Sequence, residues 1–138
     1  MKEKILIVGG AGYVGFMLTK KLLNSGYKVK IFDLFIYDVE FEKNDDLEVI
    51  KGDVRNTILL EKSLDEVDHV IHLACISNDP SFELNPALGK SINFDAFEPF
   101  VKLCVQKKVK KFIYASSSSV YGLSKKQNVT DSFLIPEI

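Results

Sequence analysis

The stretch Gly9-Gly10-Ala11-Gly12-Tyr13-Val14-Gly15 constrains the fold of this chain more than any other segment. It follows the apolar run Lys4 to Val8 and opens a segment with helical spacing. A strand that breaks into glycines and restarts as a helix leaves backbone N–H groups unpaired at the helix start, where they can face a phosphate. Side chains at Gly9 or Gly12 would obstruct the turn or the phosphate, and one at Gly15 would push the helix off the strand. Three glycines alone also suit a flexible turn. The strand before them and the helix after them favour a pyrophosphate-binding turn, although the spacing is Gly-x-x-Gly-x-x-Gly rather than Gly-x-Gly-x-x-Gly.

Beyond the turn the chain alternates strand-like and helix-like segments, which predicts an α/β fold with a parallel sheet. Val14, Leu18 and Leu22 fall four apart and predict one buried helix face, with Lys20 and Lys21 toward solvent and a stop at Gly26. Further strands are expected at Lys28 to Phe32, Leu47 to Lys51, Asp68 to Ala74 and Lys111 to Ala115. The acidic segment Leu34 to Asp46 lacks helical periodicity and reads as a loop; a short helix is expected around Thr57 to Leu64. Asn85-Pro86 reads as an N-cap and first helical residue, opening a helix to about Gln106. Pro99 lies inside that span and cannot donate to the Asp95 carbonyl, at a cost of about 3 kcal/mol, which predicts a kink or an early break.

The 138 residues suit one domain, and 46% hydrophobic with 27% charged is an ordinary globular balance. A net charge of -1 shows no basic footprint for nucleic acid or for a membrane surface. The apolar run Ile5 to Val8 is too short for a signal peptide or a membrane span, so a cytoplasmic, reduced setting is expected. Cys75 and Cys104 sit in apolar stretches without metal-ligand spacing and read as buried free thiols. His69 and His72 lie on one strand with no third ligand nearby, which favours packing over metal binding. Lys107, Lys108, Lys110 and Lys111 bracket a helix C-terminus, where cations complement the dipole.

Asp33 closes the second strand, 18 residues after Gly15. A carboxylate there can accept hydrogen bonds from ribose hydroxyls, and no Lys or Arg between Ile31 and Glu42 could hold a 2′-phosphate, which favours NAD over NADP. A turn-capping role for Asp33 is the other reading.

Five stretches occur in the order found in one family: Gly9 to Gly15, Asp33, Gly52-Asp53-Val54-Arg55, His72-Leu73-Ala74-Cys75 and Ser116-Ser117-Ser118-Ser119-Val120-Tyr121-Gly122. On these the chain resembles the extended short-chain dehydrogenase/reductases, specifically the NAD-dependent epimerase/dehydratase family that acts on nucleotide sugars. The resemblance implies a Rossmann-like doubly wound parallel sheet in strand order 3-2-1-4-5, truncated before the substrate domain, with residues 1-138 as the NAD-binding domain. It implies that Asp53 reaches the adenine amino group, that the Val54 amide meets a ring nitrogen, and that Leu73, Ala74 and Cys75 flank the ribose and nicotinamide end. Tyr13, Val14, Asn93 and Ser116 join the implied cofactor-binding residues, Asn93 with a structural role near the active site.

By the same resemblance Ser117 occupies the catalytic Ser/Thr position, while a polar surface loop is the plainer reading of Ser116 to Ser119. The family's base is a Tyr-x-x-x-Lys pair in which the lysine lowers the tyrosine pKa. Tyr121 and Lys125 have that spacing but stand too close to Ser117, and Gly122 is a poor helix residue. Val129 to Ser132 reads as the lead-in to the helix that carries the pair. Asn78 and Asp79 suit either sugar contact or a turn set by Pro80. Two functional readings follow: an NAD-dependent nucleotide-sugar epimerase or dehydratase whose NAD-binding half this is, or a dinucleotide-binding module without chemistry. Full-length members are implied to be homodimers, leaving an apolar face of Leu84 to Gln106 exposed here.

Overall fold

A computed structural model describes residues 2–117. Its five parallel strands are β1 (Lys4–Val8), β2 (Lys28–Asp33), β3 (Leu47–Lys51), β4 (His69–His72) and β5 (Lys111–Tyr114). They are ordered β3-β2-β1-β4-β5, so the sheet changes direction of growth between β1 and β4. Ile5 to Val8 pair with Val29 to Phe32 on one side and with His69 to His72 on the other.

Alternation along β1 and β2 sends side chains to both faces of the sheet, as a doubly covered parallel strand requires. Ile5, Ile7, Val29 and Ile31 pack under α1 (Tyr13–Asn24), joined by Leu18, Leu22 and Leu23. Leu6, Val8, Phe32 and Val70 face the other way, into a cluster with Leu60 of α2 (Thr57–Ser63) and with Phe100 and Cys104 of α5 (Phe97–Gln106). Lys30 lies in β2 yet is buried; its ammonium donates to the Asp65 carbonyl at 3.0 Å and stands 3.5 Å from Glu48. That arrangement satisfies carbonyls at the end of α2, where a cation is favoured.

Several expectations are corrected. Val14 is 60% exposed, because the first turn of α1 rises beyond the sheet edge; Gly15 and Thr19 are the buried positions instead. Cys75 is exposed, since the chain leaves the sheet after β4, whereas Cys104 is buried as expected. The segment after Ser77 is a helix, α3 (Asp79–Leu84), rather than a turn; Asn78 caps it by accepting from the Ser81 N–H at 2.9 Å.

The helix expected from Asn85 is three pieces: α4 (Pro86–Lys90), a π-helical turn (Ser91–Asp95) and α5. Asn85 does cap α4, accepting from the Leu88 N–H at 3.0 Å. The break expected from Pro99 lies upstream of it. The widened turn carries an Ala96 N–H to Ser91 carbonyl bond at 3.2 Å and leaves Pro99 in the first turn of α5, where the missing N–H costs little. Leu84, Phe94 and Val105, on three successive elements, are exposed along this stretch. Among the described residues no helix is long and apolar enough to cross a membrane.

Candidate functional site

At the carboxyl end of β1 the glycine turn is built from close backbone approaches. Gly9 has φ +86°, and its N–H donates to the Phe32 carbonyl at 2.8 Å. A Cβ on Gly9 would lie 2.5 Å from the Ala74 nitrogen, and one on Gly15 would lie 2.5 Å from the Gly9 carbonyl oxygen. Gly9 and Gly15 are therefore required by the fold itself. Gly12 differs: a Cβ there meets nothing nearer than the Gly9 oxygen at 3.4 Å. Gly12 is also the N-cap of α1 and has no side chain with which to cap the first-turn N–H groups. The open space above Gly12 and those donors fit the pyrophosphate of a dinucleotide.

Asp33 holds the turn in place. One of its oxygens accepts from the Ala11 N–H at 3.0 Å and the other from the Phe35 N–H at 2.8 Å. Both sequence readings of Asp33 are compatible with this, because a carboxylate that caps a turn retains further lone pairs toward the cleft it lines. Asp53 accepts from the Arg55 N–H and Nε, each at 2.9 Å, and these hydrogen bonds from Arg55 hold its carboxyl below the usual range. The same guanidinium donates to the Ser91 hydroxyl at 3.3 Å, tying the loop after β3 to the π-helical turn. Beyond β4, the N–H groups of Leu73 and Ala74 both donate to the Val8 carbonyl, at 2.7 and 3.0 Å.

These elements enclose a cleft of about 200 Å³ across the carboxyl ends of the strands. It brings together Gly9, Gly12, Asp33, Asp53, Val54, Leu73, Ala74 and Cys75. Desolvation by the surroundings of Cys75 pushes its thiol above the ordinary cysteine range. Leu34, Ile36, Tyr37, Ile76 and Ile92 also line the cleft and were not anticipated. The signal for the first three was in the sequence, as apolar residues directly after Asp33 at the start of an acidic loop. Ile92 had no such signal, because its direction depends on the π-helical turn.

Six expected residues stand outside the cleft lining. Gly15 supports the turn from α1, and Tyr13 and Val14 are exposed at the helix start. The Asn93 side chain accepts from the Ile76 N–H at 2.8 Å and donates to the Ile76 carbonyl at 2.9 Å, pinning the loop that follows Cys75. Ser116 is exposed beyond the carboxyl end of β5, as is Ser117, the expected catalytic residue. Ala115 there donates to the His72 carbonyl at 3.3 Å, which keeps this end of the chain beside β4. Tyr121, Lys125, Val129 to Ser132 and the rest of the serine-tyrosine signature lie outside the described residues.

His72 is buried among Phe97, Phe100, Phe112 and Tyr114, with the Tyr114 ring stacked at 5.7 Å. Burial lowers its pKa to about 4, so it is a neutral packing residue at neutral pH. Among the described residues no group of three His, Cys, Asp or Glu could hold a metal ion.

The chain is similar to several proteins of known type. The chain is 27% identical over 130 residues to UDP-glucose 4-epimerase of Lactobacillus helveticus, covering 93% of this chain and 39% of that protein. It is 34% identical over 125 residues to UDP-glucuronic acid decarboxylase 1 of Arabidopsis thaliana, covering 86% of this chain and 27% of that protein. The UDP-glucose 4-epimerase of Bifidobacterium longum, solved with NAD+ and UDP, superposes with a TM-score of 0.84 at 29% identity, over 94% of this chain and 41% of that one. The chain thus spans less than half the length of each. A family model described as the NAD dependent epimerase/dehydratase family matches residues 5–136, nearly the whole chain, and the chain belongs to that family.

Proposed function

We propose that this chain forms the NAD-holding part of a nucleotide-sugar epimerase or dehydratase. The observation that carries the reading is the single cleft in which Gly9, Gly12, Asp33, Asp53 and the Leu73–Cys75 segment meet across the carboxyl ends of the strands. NAD, when bound, supplies the acceptor and then the donor of a hydride. The protein's own part is to hold and orient. First-turn N–H groups of α1 hold the pyrophosphate, and Asp33 accepts from ribose hydroxyls. Asp53 accepts from the adenine amino group, while Leu73 to Cys75 shield the nicotinamide end from water.

Ser117 follows β5, where ligands bind in open α/β sheets, and its hydroxyl orients the sugar hydroxyl that loses a proton. Removal of that proton is general-base work for a tyrosine held by a lysine, a role this reading does not give to Tyr121. The substrate class is a nucleotide sugar, and the setting is cytoplasmic. Calorimetric titration with NAD+ and NADP+ tests the cofactor assignment. NAD+ is expected to bind more tightly. No binding of either overturns the assignment, and tighter binding of NADP+ overturns the role of Asp33.

A further inference from the structure

The π-helical turn (Ser91–Asp95) is tied to two walls of the cleft, and the two ties are unequal. On one side Asn93 makes two part-buried hydrogen bonds to the Ile76 backbone, at 2.8 and 2.9 Å. On the other the Ser91 hydroxyl accepts one exposed bond from Arg55 Nη1, at 3.3 Å. Ile92 stands between them in the chain and lines the cleft. The Ser91 hydroxyl donates to the Leu88 carbonyl at 2.8 Å, which leaves its lone pairs for Arg55. Arg55 is held to Asp53 through Nε and Nη2, so Nη1 is the nitrogen that crosses to the turn. Arg55 and Ser91 are outside the cleft lining, whereas Gly52, Asp53 and Val54 are in it. The foot of their loop is fixed, since the Gly52 N–H donates to the Asp33 carbonyl at 2.8 Å.

We infer that the Arg55–Ser91 bond is a releasable latch, and that the dinucleotide enters and leaves the cleft as the loop after β3 parts from the π-helical turn. The inference rests on the NAD reading above and concerns exchange of the ligand, not a surface that touches it. The side that opens follows from the asymmetry. Two part-buried bonds to one backbone segment outlast a single exposed bond between side chains, because water replaces the exposed bond at little cost. Opening there separates the Asp53 wall from the Ile92 wall, while the Asn93 clasp and the glycine turn stay in place. A widened turn interrupts the regular helix ladder and gives the segment a place to bend. Arg55 is thus a positioning residue that acts on the cleft through Asp53 and Ser91. A latch that touches no ligand holds the cleft shut with and without one, so cutting it speeds entry and exit alike and leaves affinity unchanged.

Stopped-flow fluorescence of NADH mixed with the full 138-residue chain, and then displaced by excess NAD+, measures both rate constants. Ser91→Ala cuts the latch and leaves the Asp53–Arg55 pair. Its association and dissociation are each expected to be about fivefold faster, with Kd unchanged. Ser91→Thr keeps the hydroxyl and should retain the parent's rates. Arg55→Ala should speed both steps and also weaken binding, because Asp53 loses its partner. Adding Ser91→Ala to Arg55→Ala should bring no further acceleration, since the latch is already gone. Parent rates in Ser91→Ala overturn the inference, and so does faster release with unchanged association, the mark of a lost binding contact. Failure of the parent protein to bind either NADH or NAD+ overturns the NAD reading and the inference with it.

Discussion

Gly12 and Gly15 lie three residues apart in the same turn, and alanine at each is expected to fail in a different way. At Gly15 alanine would ordinarily stabilise a helix by about 1 kcal/mol over glycine. Here its Cβ lies 2.5 Å from the Gly9 oxygen, 2.6 Å from Gly10 Cα and 2.8 Å from the Gly10 carbonyl carbon. All three are backbone atoms, so no rotamer change relieves the contact. Overpacking costs about 1–3 kcal/mol, and a clash with backbone belongs near the upper end. The net loss is about 2 kcal/mol, or a melting point lower by roughly 8 °C at this chain length.

At Gly12 the nearest atom is 3.4 Å away, so the fold tolerates the methyl, with a change of about 0.5 kcal/mol for an alanine N-cap. The methyl does fill the space assigned to the pyrophosphate, and NAD+ affinity should fall by about tenfold or more. Thermal unfolding by circular dichroism and calorimetric NAD+ titration on the parent and both variants check this. A Gly15→Ala protein that melts with the parent would refute the close approach of helix and turn. A Gly12→Ala protein that binds NAD+ as tightly as the parent would refute the phosphate position.

Three further outcomes are expected. His72 has a folded pKa of about 4 against 6.5 when unfolded, so the unfolded chain binds more protons between those values. Its contribution is complete above about pH 6.5 and falls by about 3 kcal/mol as the pH drops toward 4, and His72→Phe should flatten that part of a denaturant-melt pH profile. Cys75, exposed at the cleft, should react with iodoacetamide at alkaline pH and be protected by NAD+. Cys104, buried with its thiol pushed up to about 12, should stay unmodified until the protein unfolds; mass spectrometry distinguishes the two. Asn93→Ala removes both bonds to the Ile76 backbone and leaves two part-buried polar groups unpaired, a loss of about 2 kcal/mol. Faster amide exchange at Ile76 than in the parent is the readout, and unchanged exchange would show that the clasp is not formed in solution.

What the sequence determined by itself is the part set by local chemistry. A continuous apolar run makes β1, three glycines make the turn, and Asn85 with Pro86 starts a helix where the structure has one. Such signals act over a few residues, through sterics and the nearest backbone donors; the strand order was implied only by the family resemblance that the motifs carry. Tertiary structure decided what depends on partners distant in the chain. Val14 and Cys75 are apolar by type and exposed by position, because both stand beyond the carboxyl edge of the sheet. The π-helical turn includes Asn93, which clasps Ile76 17 residues earlier, and Ser91, which meets Arg55 from 36 residues away. Asp33 secures Ala11 across 22 residues while lining the cleft. Bonds of that span leave no periodicity in the sequence, so the walls of the site became visible only once the sheet had brought them together.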